Sequence, residues 1–349
     1  MEKKGKGGFW LATAVGIGAV TVYTVLGKKR PKYSFQDKVV LITGGSRGLG
    51  LVLARTFAGE GAKIAICARN AEELARAKAD LQSRGAEVFE TVCDVRNQSE
   101  VNQTVDAICS HYGQIDVLIN NAGVIQVGPL EVQMQKDFED AMAVHFWAAY
   151  YTMSAAIPKM REQGAGKIVN ISSIGGKVSV PHLAPYCASK FALVGLSGAM
   201  RVELAKDNIQ VTTVCPGLMR TGSHVNAVFK GQNEKEFAWF SIGNALPVSS
   251  ISAESAAKQI VEACRNGNAE AIVSIQAQFA TKMNALFPEL VAEISGLVNQ
   301  LLPSAGGIGE NYALGKESVS FASPSFLTAQ LDKESYRNNE LKPSEKIAQ

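Results

Sequence analysis

The sequence is poor in the side chains from which metal sites and disulfide frameworks are built. Among its 349 residues there are only four histidines, His111, His145, His182 and His224, and they follow no common spacing of metal ligands. None of the six cysteines belongs to a Cys-x-x-Cys pair. Several of them fall within predicted strands or helices, where a free thiol packs as a small apolar group. We therefore expect no metal site, and a reducing compartment without disulfides.

An excess of positive charge is also missing from most of the chain. The formal net charge is +3, but residues 1–32 contain seven lysines and arginines and one glutamate, which leaves 28 basic and 31 acidic residues in the remainder. A body with this small negative balance lacks the basic surface that nucleic acids require. We expect no nucleic-acid partner.

The N-terminal basic residues flank a long run without any charge. Residues 9–26 are uncharged, and as a helix they would extend about 27 Å, close to the ~30 Å of a hydrocarbon core. Trp10 and Tyr23 stand near the two ends, as interfacial aromatic residues do. A cleaved signal peptide and a buried helix of a soluble protein are the alternatives, but the basic cluster directly after the run argues against the signal peptide. We predict a single-pass transmembrane helix within residues 1–32, in an orientation that the flanking charges leave nearly undecided.

Residues 39–58 have the pattern of a strand, a turn and a helix. Residues 39–42 form an apolar, mostly β-branched run, which is typical of a strand buried on both faces of a parallel sheet. A helical pattern begins near Leu51. In this context the glycines of the turn allow close backbone approach, and the helix N-terminus attracts a diphosphate. The turn that could hold it contains Gly44, Ser46, Arg47, Gly48, Leu49 and Gly50.

A second motif pairs a tyrosine with a lysine. Tyr186 and Lys190 are four positions apart, so on a helix they lie on the same face. Ser173 stands 13 residues before the tyrosine, at the end of a predicted strand. An ammonium group near the phenol would lower the pKa of the tyrosine from its usual value near ~10, and the serine could hold a substrate oxygen. Taken alone, an exposed helix pair explains the spacing equally well.

In this order and spacing the motifs resemble those of the short-chain dehydrogenase/reductase family. The strand over residues 167–173 ends in Ser173, and the resemblance covers residues 35 to 275. It implies a Rossmann-type doubly wound parallel sheet in a single α/β domain, residues 33–276. Further matches follow two other predicted strands, and they are Asn121, Ala122, Gly123, Pro216, Gly217 and Thr221.

The resemblance implies hydride transfer between a nicotinamide and a carbonyl or alcohol carbon. Tyr186 would be the general acid in reduction and the base in oxidation, Ser173 would orient the reacting oxygen, and Lys190 would lower the pKa of the tyrosine and hold the cofactor's ribose. The chain departs from the family where an asparagine usually stands, because it has His145 there. That histidine could serve the proton relay, pack passively or mark a weakened enzyme. The alternative to an enzyme is a nucleotide-binding sensor or scaffold.

The charged residues near the end of the second predicted strand indicate which nicotinamide cofactor the protein binds. No acidic residue stands there, whereas Arg69 lies 19 residues after Gly50 and Arg47 lies within the glycine turn. Two guanidinium groups suit a 2′-phosphate, so NADP(H) is the expected cofactor, although both arginines could instead be solvated surface residues. Asp94 resembles the family's adenine contact. We expect a lipophilic carbonyl or alcohol substrate, with the catalytic domain on the cytoplasmic side of the membrane.

The chain beyond the sheet has three predicted parts. Residues 222–248 correspond to the family's flexible substrate lid, and their aromatic residues could line an apolar pocket or pack on the domain. Residues 277–303 form an amphipathic helical extension, broken near Pro288, that suits a core or subunit interface better than a membrane contact or a roof over the substrate. Residues 304–349 are Gly/Ser-rich and charged, and we predict disorder. A homodimer or homotetramer is expected by analogy with the family.

Overall fold

The structure is a computed structural model that describes residues 32–320, 323, 325, 328–342 and 344–345. The chain divides into the units Met1–Tyr33 and Ser34–Gln349, and the strands and helices given below all belong to the second unit. The predicted transmembrane segment lies outside the described residues. Within the described residues no helix is long and apolar enough to cross a membrane.

The centre of the fold is a parallel sheet of seven strands. Its strand order is β11-β7-β6-β4-β1-β2-β3, and every neighbouring pair runs parallel. The remaining strands form a two-stranded β8–β10 pair and a three-stranded β5–β9–β12 ribbon. The strands are, in chain order, β1 Val39–Thr43, β2 Lys63–Ala68, β3 Val88–Val92, β4 Val117–Asn120, β5 Gln126–Val127, β6 Gly166–Ile171, β7 Ile209–Pro216, β8 Leu218–Arg220, β9 Val228–Phe229, β10 Ser250–Ser252, β11 Glu270–Val273 and β12 Ala313–Leu314.

Helices connect the parallel strands, as such a sheet requires. Between α4 and α5 the helical path continues as one π-helical turn, Ala143–Trp147. The helices are α1 Gly48–Ala58, α2 Ala71–Ser83, α3 Gln98–Tyr112, α4 Gln135–Met142, α5 Ala148–Glu162, α6 Ala184–Leu204, α7 Asn233–Ala245, α8 Ala253–Asn266, α9 Ile275–Leu286, α10 Pro288–Leu301 and α11 Ala329–Arg337.

The predicted doubly wound α/β sheet is confirmed. Strand β1 is buried along its whole length, which explains why its sequence is a continuous apolar run and not an alternating one. The chain goes from β1 to β2 and β3 on one side, and continues from β4 on the other side. The strand order therefore reverses between β1 and β4, and ligands bind outside the carboxyl ends of the strands at such a switch point.

A chain of buried polar side chains joins the middle of the sheet to α6. Asn120 on β4 donates a hydrogen bond of 2.8 Å to Asn170 on β6, and Asn170 donates one of 3.0 Å to Ser197 on α6. The hydroxyl of Thr213 on β7 completes the chain with a 2.7 Å bond to Ser197. Because satisfied buried networks fix one arrangement of their elements, this chain sets the position of α6 against the strands.

The helical extension has the predicted break, but its apolar stripe does not join the core of the described chain, so a subunit interface stays a prediction. Pro288 is the first residue of α10, where a proline costs the helix no hydrogen bond. The apolar stripe, however, is largely exposed in the described chain, with side chains such as Leu297 at 62% and Leu301 at 86% exposure. The extension touches the core through α9, where Asn284 donates a 3.0 Å hydrogen bond to the carbonyl oxygen of Lys177.

The C-terminal segment differs from the predicted disorder. In the described part of residues 304–349, β12 pairs with β9 and α11 begins at Ala329. Leu331, Ser335 and Asn338 are fully buried. Composition predicted disorder because the segment has little apolar periodicity. It docks mainly through side-chain and backbone hydrogen bonds instead, and a pattern of apolar residues cannot reveal such contacts.

Candidate active site

The glycine turn brings β1 and α1 close to the loop after β4. A Cβ atom on Gly44, which has a φ of +64°, would lie 3.0 Å from the Cα of Ala122. A Cβ atom on Gly50 would collide with the carbonyl oxygen of Gly44. These two positions therefore require glycine because of close backbone approach, and Gly44 also because of its positive φ. Gly48 and Leu49 open α1 directly behind the turn.

The loop over residues 121–123 braces this turn. The hydroxyl of Thr43 accepts hydrogen bonds of 3.0 and 3.1 Å from the backbone N–H groups of Asn121 and Ala122. The side chain of Asn121 in turn donates to the carbonyl oxygens of Thr43 and Gly44 at 3.1 and 3.2 Å. The predicted contacts Asn121, Ala122 and Gly123 thus adjoin the glycine turn, and the amide of Asn121 is used to hold it.

Ser173, Tyr186 and Lys190 lie together at the carboxyl end of β6. Ser173 follows this strand, and its hydroxyl accepts a 3.0 Å hydrogen bond from the N–H of Gly175. The phenol of Tyr186 lies near this hydroxyl, which acts to lower the pKa of the tyrosine. The ammonium nitrogen of Lys190 lies 5.6 Å from the centroid of the tyrosine ring. It donates a 2.9 Å hydrogen bond to the carbonyl oxygen of Ile171.

The pKa values in this group differ from the sequence expectation. Burial raises the pKa of Tyr186 to about 12, although the hydroxyl of Ser173 acts in the opposite direction. Burial also lowers the pKa of Lys190 to about 7. Desolvation of the phenolate is the largest cause of the shift of the tyrosine pKa. The phenol is therefore held in its protonated form, and the predicted lowering of its pKa by Lys190 is not observed here.

His145 is held between the loop after β4 and helix α6. It lies on the π-helical turn, a feature found frequently at functional sites, and its Nε2 accepts a 3.1 Å hydrogen bond from the N–H of Val124. The proton is thereby assigned to Nδ1, which donates to the hydroxyl of Ser189 at 2.7 Å. Burial, together with the nearby Lys190 charge, lowers the pKa of His145 well below its usual value. The ring packs edge-on against Tyr186, with centroids 5.4 Å apart.

Ser189 is a neighbour of the site that the sequence did not indicate. Its hydroxyl is within 2.9 Å of the carbonyl oxygen of Tyr186 and can donate to it, while it accepts from His145. The histidine, the serine and the backbone of the tyrosine thus form one hydrogen-bonded chain. Ser189 lies in the motif between Tyr186 and Lys190, but a serine on a helix gives no signal of such a partner.

Arg47 is already engaged by two carboxylates. Its guanidinium lies 3.4 Å from Glu73 at the start of α2, and 3.4 Å from Glu340 in the C-terminal segment. The hydroxyl of Ser46 also donates a 3.2 Å hydrogen bond to Glu73. The predicted anion-binding residues of the turn are therefore close together, and they face acidic partners from elsewhere in the chain.

Arg69 and Asp94 lie at the ends of β2 and β3. Arg69 is exposed, and its charge helps to lower the pKa of Asp94. The larger contribution to that shift comes from Arg96, which donates to the Asp94 carboxylate at 2.6 Å. An exposed guanidinium at this edge of the sheet is available to an anionic ligand.

The other predicted contacts lie at the end of β7. Pro216 ends this strand and Gly217 follows it, packed so closely that a Cβ atom would stand 2.8 Å from the hydroxyl of Ser274. Thr221 is buried, with its hydroxyl 2.9 Å from that of Ser223. Its carbonyl oxygen accepts a 3.2 Å hydrogen bond from Asn338, so the C-terminal segment reaches this loop as well.

The aromatic residues of segment 222–248 pack against one another beside the site. Phe229 and Phe237 are buried, with ring centroids 5.4 Å apart. Phe240 joins them, and Tyr186 and Trp239 pack against the same cluster. The sequence left two alternatives for these aromatic residues, lining an apolar pocket or packing on the domain. Phe229 and Phe237 pack within the domain.

This doubly wound sheet, with its glycine turn and its Ser/Tyr/Lys group, defines an oxidoreductase of the dinucleotide-binding class. The chain belongs to the short-chain dehydrogenase/reductase family, because residues 38–230 match the family model described as short chain dehydrogenase. An oxidoreductase of Mycobacterium tuberculosis named SadH is 34% identical over 276 residues, which are 78% of this chain and 96% of that protein. Gluconate 5-dehydrogenase of Gluconobacter oxydans is 36% identical over 54% of this chain and 74% of its own length.

Solved structures of the family have the same fold. L-Sorbose reductase from Gluconobacter frateurii, complexed with NADPH and L-sorbose, is 27% identical with a TM-score of 0.63, and the match covers 70% of this chain and 97% of that one. A variant of actinorhodin polyketide ketoreductase with NADPH is 30% identical with a TM-score of 0.60, over 68% of this chain and 95% of that one. The NADP(H) prediction is therefore supported by structural relatives that hold this cofactor.

Proposed function

We propose that the protein is an NADP(H)-dependent oxidoreductase in which Tyr186 exchanges a proton with the reacting oxygen of a carbonyl or alcohol substrate. The observation that carries the proposal is the convergence of Ser173, Tyr186 and Lys190 beside the switch point of the sheet. The serine hydroxyl is near enough to the phenol to act on its pKa, so we expect one substrate oxygen to accept hydrogen bonds from both. The bound nicotinamide would supply or accept the hydride.

The residues around the glycine turn fit NADP(H) in their chemistry. The N-terminus of α1 offers backbone N–H groups and the positive end of the helix dipole to a diphosphate. Arg47 and the exposed Arg69 carry the positive charge that a 2′-phosphate requires. Asp94, which follows β3, would contact the adenine.

The pKa values favour reduction of a carbonyl over oxidation of an alcohol. With a pKa raised to about 12, the phenol of Tyr186 keeps its proton at neutral pH and can donate it to a developing alkoxide. As a base for oxidation it would first have to lose that proton. We therefore propose carbonyl reduction as the principal direction.

Apolar surroundings support a lipophilic substrate. The aromatic cluster of segment 222–248 packs directly against Tyr186. A cleft of about 560 Å³ lies nearby, between α6 and the helical extension. Its lining is mostly apolar and includes Val180, Pro181, Ala184, Cys187 and Phe191, which matches the lining usual for small-molecule sites.

We also propose that residues 9–26 anchor the enzyme in a membrane. The support is the uncharged run and its basic flanks, and a membrane location would place the protein close to lipophilic substrates. Recovery of the full-length protein in the pellet after carbonate extraction is the expected result. Full release into the supernatant would exclude the anchor and leave the enzymatic proposal unaffected.

The enzymatic proposal is tested by NADPH oxidation with a panel of apolar ketones and aldehydes. We expect turnover of at least one substrate class, and loss of it in Tyr186→Phe. The competing function is a nucleotide-binding sensor or scaffold, which the unusual His145 could favour. Binding of NADPH without turnover of any substrate would support that function and would contradict ours.

A further inference from the structure

The C-terminal segment crosses the region in which the cofactor is expected. Residues 335–342 comprise the last residues of α11 and the chain that follows it, and they lie between two loops. One is the glycine turn, residues 44–50, and the other is the loop over residues 221–226 after β8. Both loops contain predicted cofactor contacts, whereas the sequence predicts no role for this segment.

The segment uses the hydrogen-bonding groups of the glycine turn. The carbonyl oxygen of Asn338 accepts a 2.9 Å hydrogen bond from the N–H of Gly48, the first residue of α1. The side chain of Asn339 donates 2.8 Å to the carbonyl oxygen of Ser46. One of the free N–H groups at the helix N-terminus, the groups that would face a diphosphate, is therefore already satisfied by the chain itself.

Glu340 brings a negative charge to the same place. Its carboxylate is buried at the N-terminal end of α1, so close that a Cβ atom on Gly48 would collide with it. It pairs with Arg47 at 3.4 Å and accepts a 2.7 Å hydrogen bond from the side chain of Asn226. Burial raises the pKa of this carboxyl, while Arg47 and Asn226 act to lower it. A buried anion at a helix N-terminus beside an arginine has the same charge and partners as a bound phosphate.

The other side of the segment is fixed to the loop after β8. The hydroxyl of Ser335 donates a 3.1 Å hydrogen bond to the carbonyl oxygen of Gly222. Asn338 also donates to the carbonyl oxygen of Thr221 at 3.2 Å. Ser335 is fully buried, and the space beside it is small, because a Cβ atom on Gly222 would overlap the serine backbone.

We propose that residues 335–342 and NADP(H) compete for the N-terminus of α1, so that the C-terminal segment is an autoinhibitory element of this enzyme. Both need the N–H of Gly48 and the guanidinium of Arg47, and the two anions cannot share one helix end. Cofactor binding therefore requires undocking of the segment. The inference rests on the NADP(H) binding of the proposed function, but not on turnover.

The opposite arrangement is a clasp that closes over the bound cofactor. A clasp would add contacts to the cofactor and leave the groups that bind the diphosphate free. In this structure the segment itself bonds those groups, which favours competition. The two arrangements predict opposite effects of NADPH on the segment.

The first test is the affinity of the full-length protein for NADPH, measured by fluorescence titration. Ser335→Leu places a large side chain where there is no space, and it changes neither loop. For a ligand that binds only the undocked state, the apparent Kd equals the intrinsic Kd divided by the fraction of protein that is undocked. Because Ser335→Leu raises that fraction, we expect it to bind NADPH at least about tenfold more tightly than the wild type. The control is Ser344→Leu, the same change at an exposed position two residues beyond the segment, with an affinity within about twofold of the wild type. Equal or weaker binding by Ser335→Leu, or binding by neither protein, would overturn the inference.

The second test is hydrogen–deuterium exchange over residues 329–342 of the wild-type protein. We expect NADPH to increase exchange in this segment, because the cofactor displaces it. Unchanged or slower exchange on saturation with NADPH would overturn competition and indicate a clasp. Absence of turnover with any substrate, together with the expected affinities and exchange, would contradict the proposed function and leave this inference in place.

Discussion

The ammonium nitrogen of Lys190 lies 5.6 Å from the ring centroid of Tyr186 and donates its hydrogen bond to the carbonyl oxygen of Ile171. The lysine is thus fixed by the end of β6, and it affects the tyrosine through space. Because both groups are desolvated, the pKa of the phenol is raised and the phenol keeps its proton, whereas the pKa of the ammonium group is lowered and it loses its proton more readily. The first two predictions concern this pair.

Replacement of the phenol hydroxyl should remove the proton transfer but not the cofactor site. We expect Tyr186→Phe to lower kcat by about 10²–10⁴-fold, because the phenol is the group that protonates the substrate oxygen in the proposed reaction. The Kd for NADPH should stay within about twofold. Tyr150→Phe, on an exposed face of α5, is the matched control and should retain full activity. Equal activity of the two variants would contradict the role of Tyr186.

The buried Lys190 should make stability depend on pH. Its folded pKa of about 7 is below that of the unfolded chain, so from pH ~7 to ~10 the unfolded state binds more protons and this group makes the fold more stable as pH rises. The penalty of the buried charge is greatest at or below pH ~7. Lys190→Met should therefore gain in Tm relative to the wild type at pH ~6.5, and the gain should shrink towards pH ~10. A difference in Tm that is independent of pH would contradict the shifted pKa.

His145 should act as a positioning residue and not as an acid or a base. Its pKa is held well below the usual value, and both ring nitrogens have partners. The plot of activity against pH should therefore show no inflection due to His145 between pH ~5.5 and ~7.5. His145→Asn should leave that profile unchanged. His145→Ala leaves the N–H of Val124 without its partner and should lower the free energy of unfolding by about 1–3 kcal/mol, as denaturant titration would measure. An inflection near pH ~6.5 that disappears in His145→Asn would assign the histidine to the relay.

Arg69 should determine the preference for NADPH over NADH. A hydrogen bond between charged partners contributes about 1.5–3 kcal/mol, so Arg69→Ala should weaken NADPH binding by about 10–100-fold and leave NADH binding nearly unchanged. Arg84→Ala, another exposed arginine, is the control and should change neither affinity. A parallel loss for both cofactors would indicate that Arg69 does not contact the 2′-phosphate.

Much of the fold could be predicted because its signals are local. The buried apolar runs predict the central strands, and the break at Pro288 follows from proline chemistry. The Ser173, Tyr186 and Lys190 group was identified in the same way, because a strand end and one helical turn bring these residues together.

The sequence by itself thus determined the sheet, the glycine turn and the identity of the candidate catalytic side chains. Only the tertiary structure decided the protonation of Tyr186, since desolvation depends on residues that are distant along the chain. It also decided the bonding of His145 to Ser189 and the docking of residues 335–342. Asn338 and Gly48 are 290 positions apart, and a polar contact over that distance has no periodicity in the sequence. Such contacts arise only when the completed fold brings both partners to the same surface.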